Sequence, residues 1–353
     1  MTHPTVIAML LPAIRSMNLT LGAVWTLGGL LSLLTAAPVV AEQDLLTRTQ
    51  ARFSPLPNDF STPTIPLSEA QITLGRQLFF DKRLSRDGQV SCETCHLPGL
   101  HATDGRAKAV GVDNRINARN APTLLNTALQ FRIHWDGARE SVEEQATKSL
   151  IGPSTFGNPD FAAVVTKLRD LGYEPAFRRA FPGEADPIRP ENWGKAIGNY
   201  ERTLVSPSPF DAFLKGQISA LNETAQRGLE TFLKVGCANC HDGVGLGGNR
   251  YQKFGLFSDY ASLTGASPPD EGRLTVTQNP ADRFVFKVPP LRNVVMTPPY
   301  FHDGSVDTLA EAIRIMGRLQ LNLVLADDQI RDLEVFLESL TGPIPVQFKA
   351  PPP

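Results

Sequence analysis

An all-α fold of two similar units in tandem, joined by long loops, is predicted by three observations. Apolar residues at helical spacing recur in two matched pairs of segments along the 353 residues. Gly 28 and Pro 29 require long irregular stretches, and Tyr 5 with Trp 3 is too sparse for an aromatic-rich sandwich or propeller. A five-residue cysteine motif occurs twice, each time behind the first helix of a pair.

At 42% hydrophobic and 20% charged, the chain suits one large or two ordinary globular domains and excludes disordered, collagenous and multi-span membrane classes. A net charge of −2 with scattered Lys and Arg offers no field for phosphates, so no nucleic acid partner is expected.

The first forty residues hold no acidic side chain and one Arg, Arg15, with an apolar run from Leu19 to Ala37 before Pro38-Val39-Val40-Ala41-Glu42. Residues 1–41 read as a signal peptide cut after Ala41, and the rest as an exported, periplasmic body. An uncleaved anchor is the alternative, because the run approaches the roughly 20 residues that span a bilayer.

Leu67-Ser68-Glu69-Ala70-Gln71 opens a helix with a Ser-x-x-Gln capping box, continuing through Leu74, Gly75, Leu78 and Phe79. Leu221-Asn222-Glu223 opens its counterpart, with Gly228, Leu229, Phe232 and Leu233. The closing helices are expected over Glu191 to Leu204 and Asp327 to Leu340, each with a one-sided apolar face. Ser206-Pro207-Ser208-Pro209 is the natural linker, which gives units of 42–205 and 206–353.

Each opening helix leads into Cys-x-x-Cys-His: Cys92-Glu93-Thr94-Cys95-His96 and Cys237-Ala238-Asn239-Cys240-His241, which account for all four cysteines. In this pattern two thiols add across the vinyl groups of a haem and the His ligates its iron. A thioredoxin pair needs no His, and a zinc ribbon normally places its pairs much closer together. Two covalent haem c groups in two cytochrome-c-like domains are therefore expected, with Cys92, Cys95 and His96 on the first and Cys237, Cys240 and His241 on the second.

Methionine separates the two irons. Of five, Met1, Met9 and Met17 fall in the leader, leaving Met296 and Met316, both in the second unit. A thioether ligand raises haem potential, so the second haem is the expected electron-entry site, with either Met as ligand on spacing alone. The first haem has His101, His134 or nothing on its distal side, and an open iron can bind peroxide.

The chain resembles the bacterial di-haem cytochrome c peroxidases and their MauG-like relatives from about Leu67 to Gly342. The likeness rests on Arg119-Asn120-Ala121-Pro122-Thr123, Trp135-Asp136-Gly137, Glu143-Glu144-Gln145, Phe181-Pro182-Gly183, Phe210-Asp211, Leu246-Gly247-Gly248, Pro290-Leu291-Arg292-Asn293 and Pro299-Tyr300-Phe301-His302-Asp303-Gly304. The resemblance implies a periplasmic enzyme reducing hydrogen peroxide with electrons from a small cytochrome c or cupredoxin, and in many members a homodimer. It implies Ca2+ between the units, held by Asn120 and the carbonyls of Thr297 and Pro299, a set of oxygens suited to that cation. It makes Met316 the axial ligand, Trp135 the tryptophan between the haems, Gln145 a distal hydrogen-bonding group, and His302 a neighbour of the haem propionates.

Two positions depart from the family pattern. Gly111-Val112 stands where the peroxidases carry Gly-His with a displaceable ligand, which leaves the first iron open unless His101 or His134 substitutes. Thr155 in Thr155-Phe156-Gly157-Asn158 stands where the family has its distal Glu, and a hydroxyl is no general base at neutral pH. Glu143 and Glu144 are the nearest carboxylates in sequence. Two other readings stay open: a MauG-like oxidase that modifies a partner protein, and a di-haem carrier or sensor without turnover.

Overall fold

The computed structural model describes residues 36–352, with side chains from residue 42. The expected leader over 1–41 lies almost wholly outside that range. Twelve helices are formed among the described residues: α1 (Ala36–Gln50), α2 (Glu69–Phe80), α3 (Val142–Ser149), α4 (Phe161–Asp170), α5 (Glu174–Ala180), α6 (Pro190–Glu201), α7 (Pro209–Leu214), α8 (Glu223–Val235), α9 (Tyr260–Thr264), α10 (Leu274–Thr277), α11 (Leu309–Leu321) and α12 (Asp327–Glu338). The described sheet is one antiparallel pair, β1 (Tyr251–Lys253) and β2 (Val285–Lys287), with Tyr251 opposite Lys287. No described helix is long and apolar enough to cross a membrane.

Each expected helix forms, with shifted ends. Ser68 caps α2 by accepting from the Gln71 N–H at 3.5 Å, but the Gln71 side chain donates to the Ala180 carbonyl, so only half of the capping box is made. Asn222 caps α8 by accepting from the Ala225 N–H at 2.8 Å, and Gly236, at φ 99°, ends it. The closing helices stop at Glu201 and Glu338, short of Leu204 and Leu340, because the chain turns there while these leucines stay fully buried.

One construction is used twice. Gly75 of α2 lies against the Ala196 carbonyl of α6, and Gly228 of α8 lies against the Asp332 carbonyl of α12; a Cβ at either would collide with that backbone. Removing the side chain where two helices cross lets their axes approach. A Pro-x-Leu-x-Asn sequence then recurs, as Pro122–Asn126 and Pro289–Asn293. Both asparagines are left-handed (φ 61° and 63°), and their N–H groups donate to Leu204 and Leu340, the residues just past the two closing helices.

The expected linker is a buried seam instead. Ser206 is wholly buried, and its hydroxyl accepts from the side chains of both Asn126 (2.8 Å) and Asn293 (2.9 Å). Leaving either asparagine unpaired there would cost about 1–3 kcal/mol, so the segment is fixed by hydrogen bonding despite its Ser-Pro composition.

Two main cores flank this seam, one built on Leu74, Phe79, Trp193, Ile197 and Tyr200, the other on Phe210, Leu229, Phe232, Leu333 and Phe336. The chain ends cross over: Leu45, Leu46 and Phe53 join the second core, and Phe348 joins the first. A third core around Tyr260, Tyr300, Ile315 and Leu319 is built from second-half residues, and α11, which the sequence reading did not delimit, packs on it.

Candidate functional site

Each cysteine motif is a single helical turn behind its opening helix, Cys92–Thr94 or Cys237–Asn239. The His96 N–H donates to the Cys92 carbonyl at 3.1 Å and the His241 N–H to the Cys237 carbonyl at 3.0 Å, so the turn sets both thiols and the imidazole together. Nδ1 of His96 lies 3.0 Å from the Ala102 carbonyl and Nδ1 of His241 lies 3.2 Å from that of Leu246. Burial favours the neutral rings, lowering His96 below its ordinary value and His241 to about 4. A neutral imidazole engaged through Nδ1 presents Nε2 to a metal.

All four cysteines are free. Burial raises the thiol of Cys92, that of Cys95 to about 11 and that of Cys237 to about 12. These are neutral thiols, unlike the activated cysteine of a disulfide oxidoreductase. Among the described residues no three His, Cys, Asp or Glu side chains converge as a metal cluster, so the motifs do not combine into one zinc site. Two separate haem attachments are the chemistry they fit.

Residues of the two halves meet in a polar layer. Trp135 is held at both ends: its indole N–H donates to the Asn120 carbonyl at 3.0 Å, and its carbonyl accepts from the Lys287 N–H at 2.7 Å. Arg119 bonds both oxygens of Asp270 (2.6 and 2.9 Å) and reaches Asp136 at 2.5 Å. The Lys287 ammonium, lowered to about 8 by burial, donates to Gln130. Two buried donors here have no protein partner, Nε of Arg139 and Nε2 of His302, whose ring stacks on Phe286 at 4.3 Å. Unpaired buried donors call for an acceptor the chain does not supply, and haem propionates are acceptors of that kind.

At the expected calcium position, Asn120 is buried and its Nδ2 donates to the Arg106 carbonyl, leaving Oδ1 without a hydrogen bond among the described residues. The Thr297 and Pro299 carbonyls likewise accept none from the described backbone. All three atoms are oxygens available to a hard cation.

In the second half, Met316 is half-buried on α11, one turn after Ile313, which packs against the second core. Met296 is 42% exposed, which argues against it as a ligand. In the first half, Val112 is fully buried and its N–H donates to the Thr155 carbonyl at 3.1 Å. The Thr155 hydroxyl is turned onto the Ser149 carbonyl at 2.5 Å.

Both sequence-adjacent carboxylates are committed elsewhere. Glu143 pairs with Arg202 at 2.7 Å, and Glu144 accepts from the Glu140 N–H at 2.7 Å. Burial lowers His101 below its ordinary value, with the Gly342 backbone opposing. His134 instead faces Gln145.

Sequence reasoning missed Glu201, a buried carboxyl on α6 raised to about 8 by burial and by neighbouring Glu143. It also passed over the paired Pro122 and Pro289, whose carbonyls lie by the two motif histidines. The repeated Pro-x-Leu-x-Asn was the signal for those prolines; Glu201 left none.

The sequence profile of a family described as di-haem cytochrome c peroxidase matches residues 69–219. Cytochrome c551 peroxidase of Pseudomonas aeruginosa is 40% identical over 322 residues, covering 90% of this chain and 92% of that one. Methylamine utilization protein MauG of Methylorubrum extorquens is 35% identical, covering 87% and 88%. Among solved structures, a MauG-like protein associated with microbial copper homeostasis superposes with a TM-score of 0.75 at 30% identity, covering 84% of this chain and 97% of that one.

Proposed function

The chain belongs to the di-haem cytochrome c peroxidase family and is a peroxidase-type oxidoreductase, and from that premise we propose that it is an exported, periplasmic enzyme. It reduces hydrogen peroxide to water with electrons from a small c-type cytochrome or cupredoxin. Residues 42–205 hold one covalent haem c through Cys92, Cys95 and His96, and residues 206–353 hold the other through Cys237, Cys240 and His241. Haem would supply a redox-active iron at each of two positions, for reaction with peroxide at one and for electron passage at the other.

The chain's own part is to make the two positions unequal. Met316 caps the second. The first is lined by Val112, which has no ligating atom, and by Gln145, whose amide orients bound peroxide. Trp135, pinned to Asn120 and Lys287, fixes the layer between the two. Asn120, Thr297 and Pro299 hold Ca2+ beside it.

What supports this reading is the unequal supply of ligands in the sequence: Met296 and Met316 in the second unit, no methionine in residues 42–205, and valine at position 112. Peroxide added to the half-reduced protein with a small cytochrome c as donor tests it. Rapid, stoichiometric oxidation of the donor is expected, and inertness would leave a carrier or sensor. The likeness to MauG proteins and the doubly pinned Trp135 favour one second reading, oxidation of a partner protein. A long-lived oxidised state that no small donor discharges would select it.

A further inference from the structure

We propose that His134 is the proton-transfer residue for peroxide cleavage in the first half, taking the place that Thr155 cannot fill. The inference rests on the peroxidase reading above and names a catalytic residue for it.

The loop that carries His134 is tightly determined. Ile133 and Arg139 bond each other through both N–H groups (2.9 and 3.3 Å), and the Gly137 N–H donates to the His134 carbonyl. Within it His134 is held at φ 70°, a left-handed conformation that costs a non-glycine residue energy and persists only where the surroundings impose it. The Trp135 carbonyl, bonded to Lys287, supplies part of that constraint.

Gln145 of α3 is a neighbour of the ring. The end of α3 is stitched to the wall of the first motif. Phe156 and Asn158 donate backbone N–H groups to Ser149 and Leu150, Val112 donates to Thr155, and Sγ of Cys95 lies 3.7 Å from the Val110 carbonyl. These bonds tie α3, the helix that carries Gln145, to Thr155 and Val112.

Charged groups around the ring are Asp136, Arg139 and Arg119, with Asp270 behind Arg119. Burial outweighs the attraction of Asp136 and holds the imidazole near about 4, so it is neutral at pH 7 and able to accept a proton. Buried Nε of Arg139, without a partner, is a donor left over in the same loop.

The step balances. One peroxide oxygen gives its proton to His134; His134 returns it to the other oxygen as the O–O bond breaks, and water leaves. The remaining oxygen takes two electrons from the donor protein and two protons and leaves as the second water. Arg139 favours the oxygen on which negative charge grows.

The test compares the di-haem protein with H134Q, and with H134N should the first variant fail to fold, in peroxide reaction and in cyanide association with the oxidised protein. Hydrogen cyanide must also lose a proton to bind, so the cyanide measurement reads the base without turnover. H134Q is expected to slow both by about 10²–10⁴-fold, with spin states unchanged and the acid limb of the wild-type pH profile gone. Rates within threefold of wild type, or a low-spin to high-spin change marking His134 as an iron ligand, would overturn the proposal. If wild type ignores peroxide while H134Q still slows cyanide, the peroxidase reading fails and the base assignment stands.

Discussion

The two halves of this chain share a frame and differ in what is hung on it. Both cross an opening and a closing helix at a glycine, present a Cys-x-x-Cys-His turn, and return through Pro-x-Leu-x-Asn to the same Ser206 hydroxyl. Superposing the closing helices by their final leucines, Leu204 and Leu340, sets Ala196 against Asp332, the two carbonyls that face Gly75 and Gly228. The same register sets Glu201 against Leu337. One half therefore buries a carboxyl where the other buries an alkyl group. The first half adds α3 and the His134 loop; the second adds β1, β2 and α9 to α11 with Met316. What is repeated carries the two Cys-x-x-Cys-His turns, and what is not repeated is where the halves can differ in chemistry.

The widest gap between the halves is expected from H96A and H241A. H96A should lower the peroxide reaction by more than about 10³-fold, the scale of losing a member of a catalytic unit. H241A should retain the first peroxide reaction but lose oxidation of the donor, as rapid mixing would show. M316L, a swap that nearly conserves volume, should lower the potential of the second haem by on the order of 0.1 V and leave the first unmoved in a redox titration. Equal shifts at both haems would erase the distinction drawn here.

G75A and G228A test the shared frame. Each forces a methyl into a backbone carbonyl and should cost about 1–3 kcal/mol in denaturant unfolding, with the two values close to each other. A large cost at one and none at the other would mean that the crossings are not equivalent.

E201L gives the first half the second half's solution, with a smaller effect. Burial raises the Glu201 carboxyl from 4.5 to about 8, so the folded protein binds that proton more tightly than the unfolded chain. The resulting contribution is whole below pH 4.5 and is lost as pH rises through about 8. E201L should therefore gain progressively on wild type between pH 5 and pH 8. A constant difference across that range would show that Glu201 does not titrate with folding.

Helix, motif, loop and closing helix were legible because each leaves a local mark: caps at Ser68 and Asn222, apolar faces at helical period, and cysteines at fixed spacing. Ser206 was misread because Ser-Pro-Ser-Pro composition says nothing of the Asn126 and Asn293 side chains that bury it from far along the chain. The crossing-over of Phe53 and Phe348 between cores is likewise a tertiary fact with no sequence period. Glu143 looked free on a helix face, yet Arg202, just past the end of α6, claims it, and that Gln145 neighbours His134 is likewise a tertiary fact.

The inequality of the two irons is tested most directly by electron paramagnetic resonance of the fully oxidised di-haem protein. An axial high-spin signal from the first haem beside a low-spin signal from the His241 and Met316 haem is the expected spectrum. Two low-spin signals, persisting after half-reduction, would contradict it.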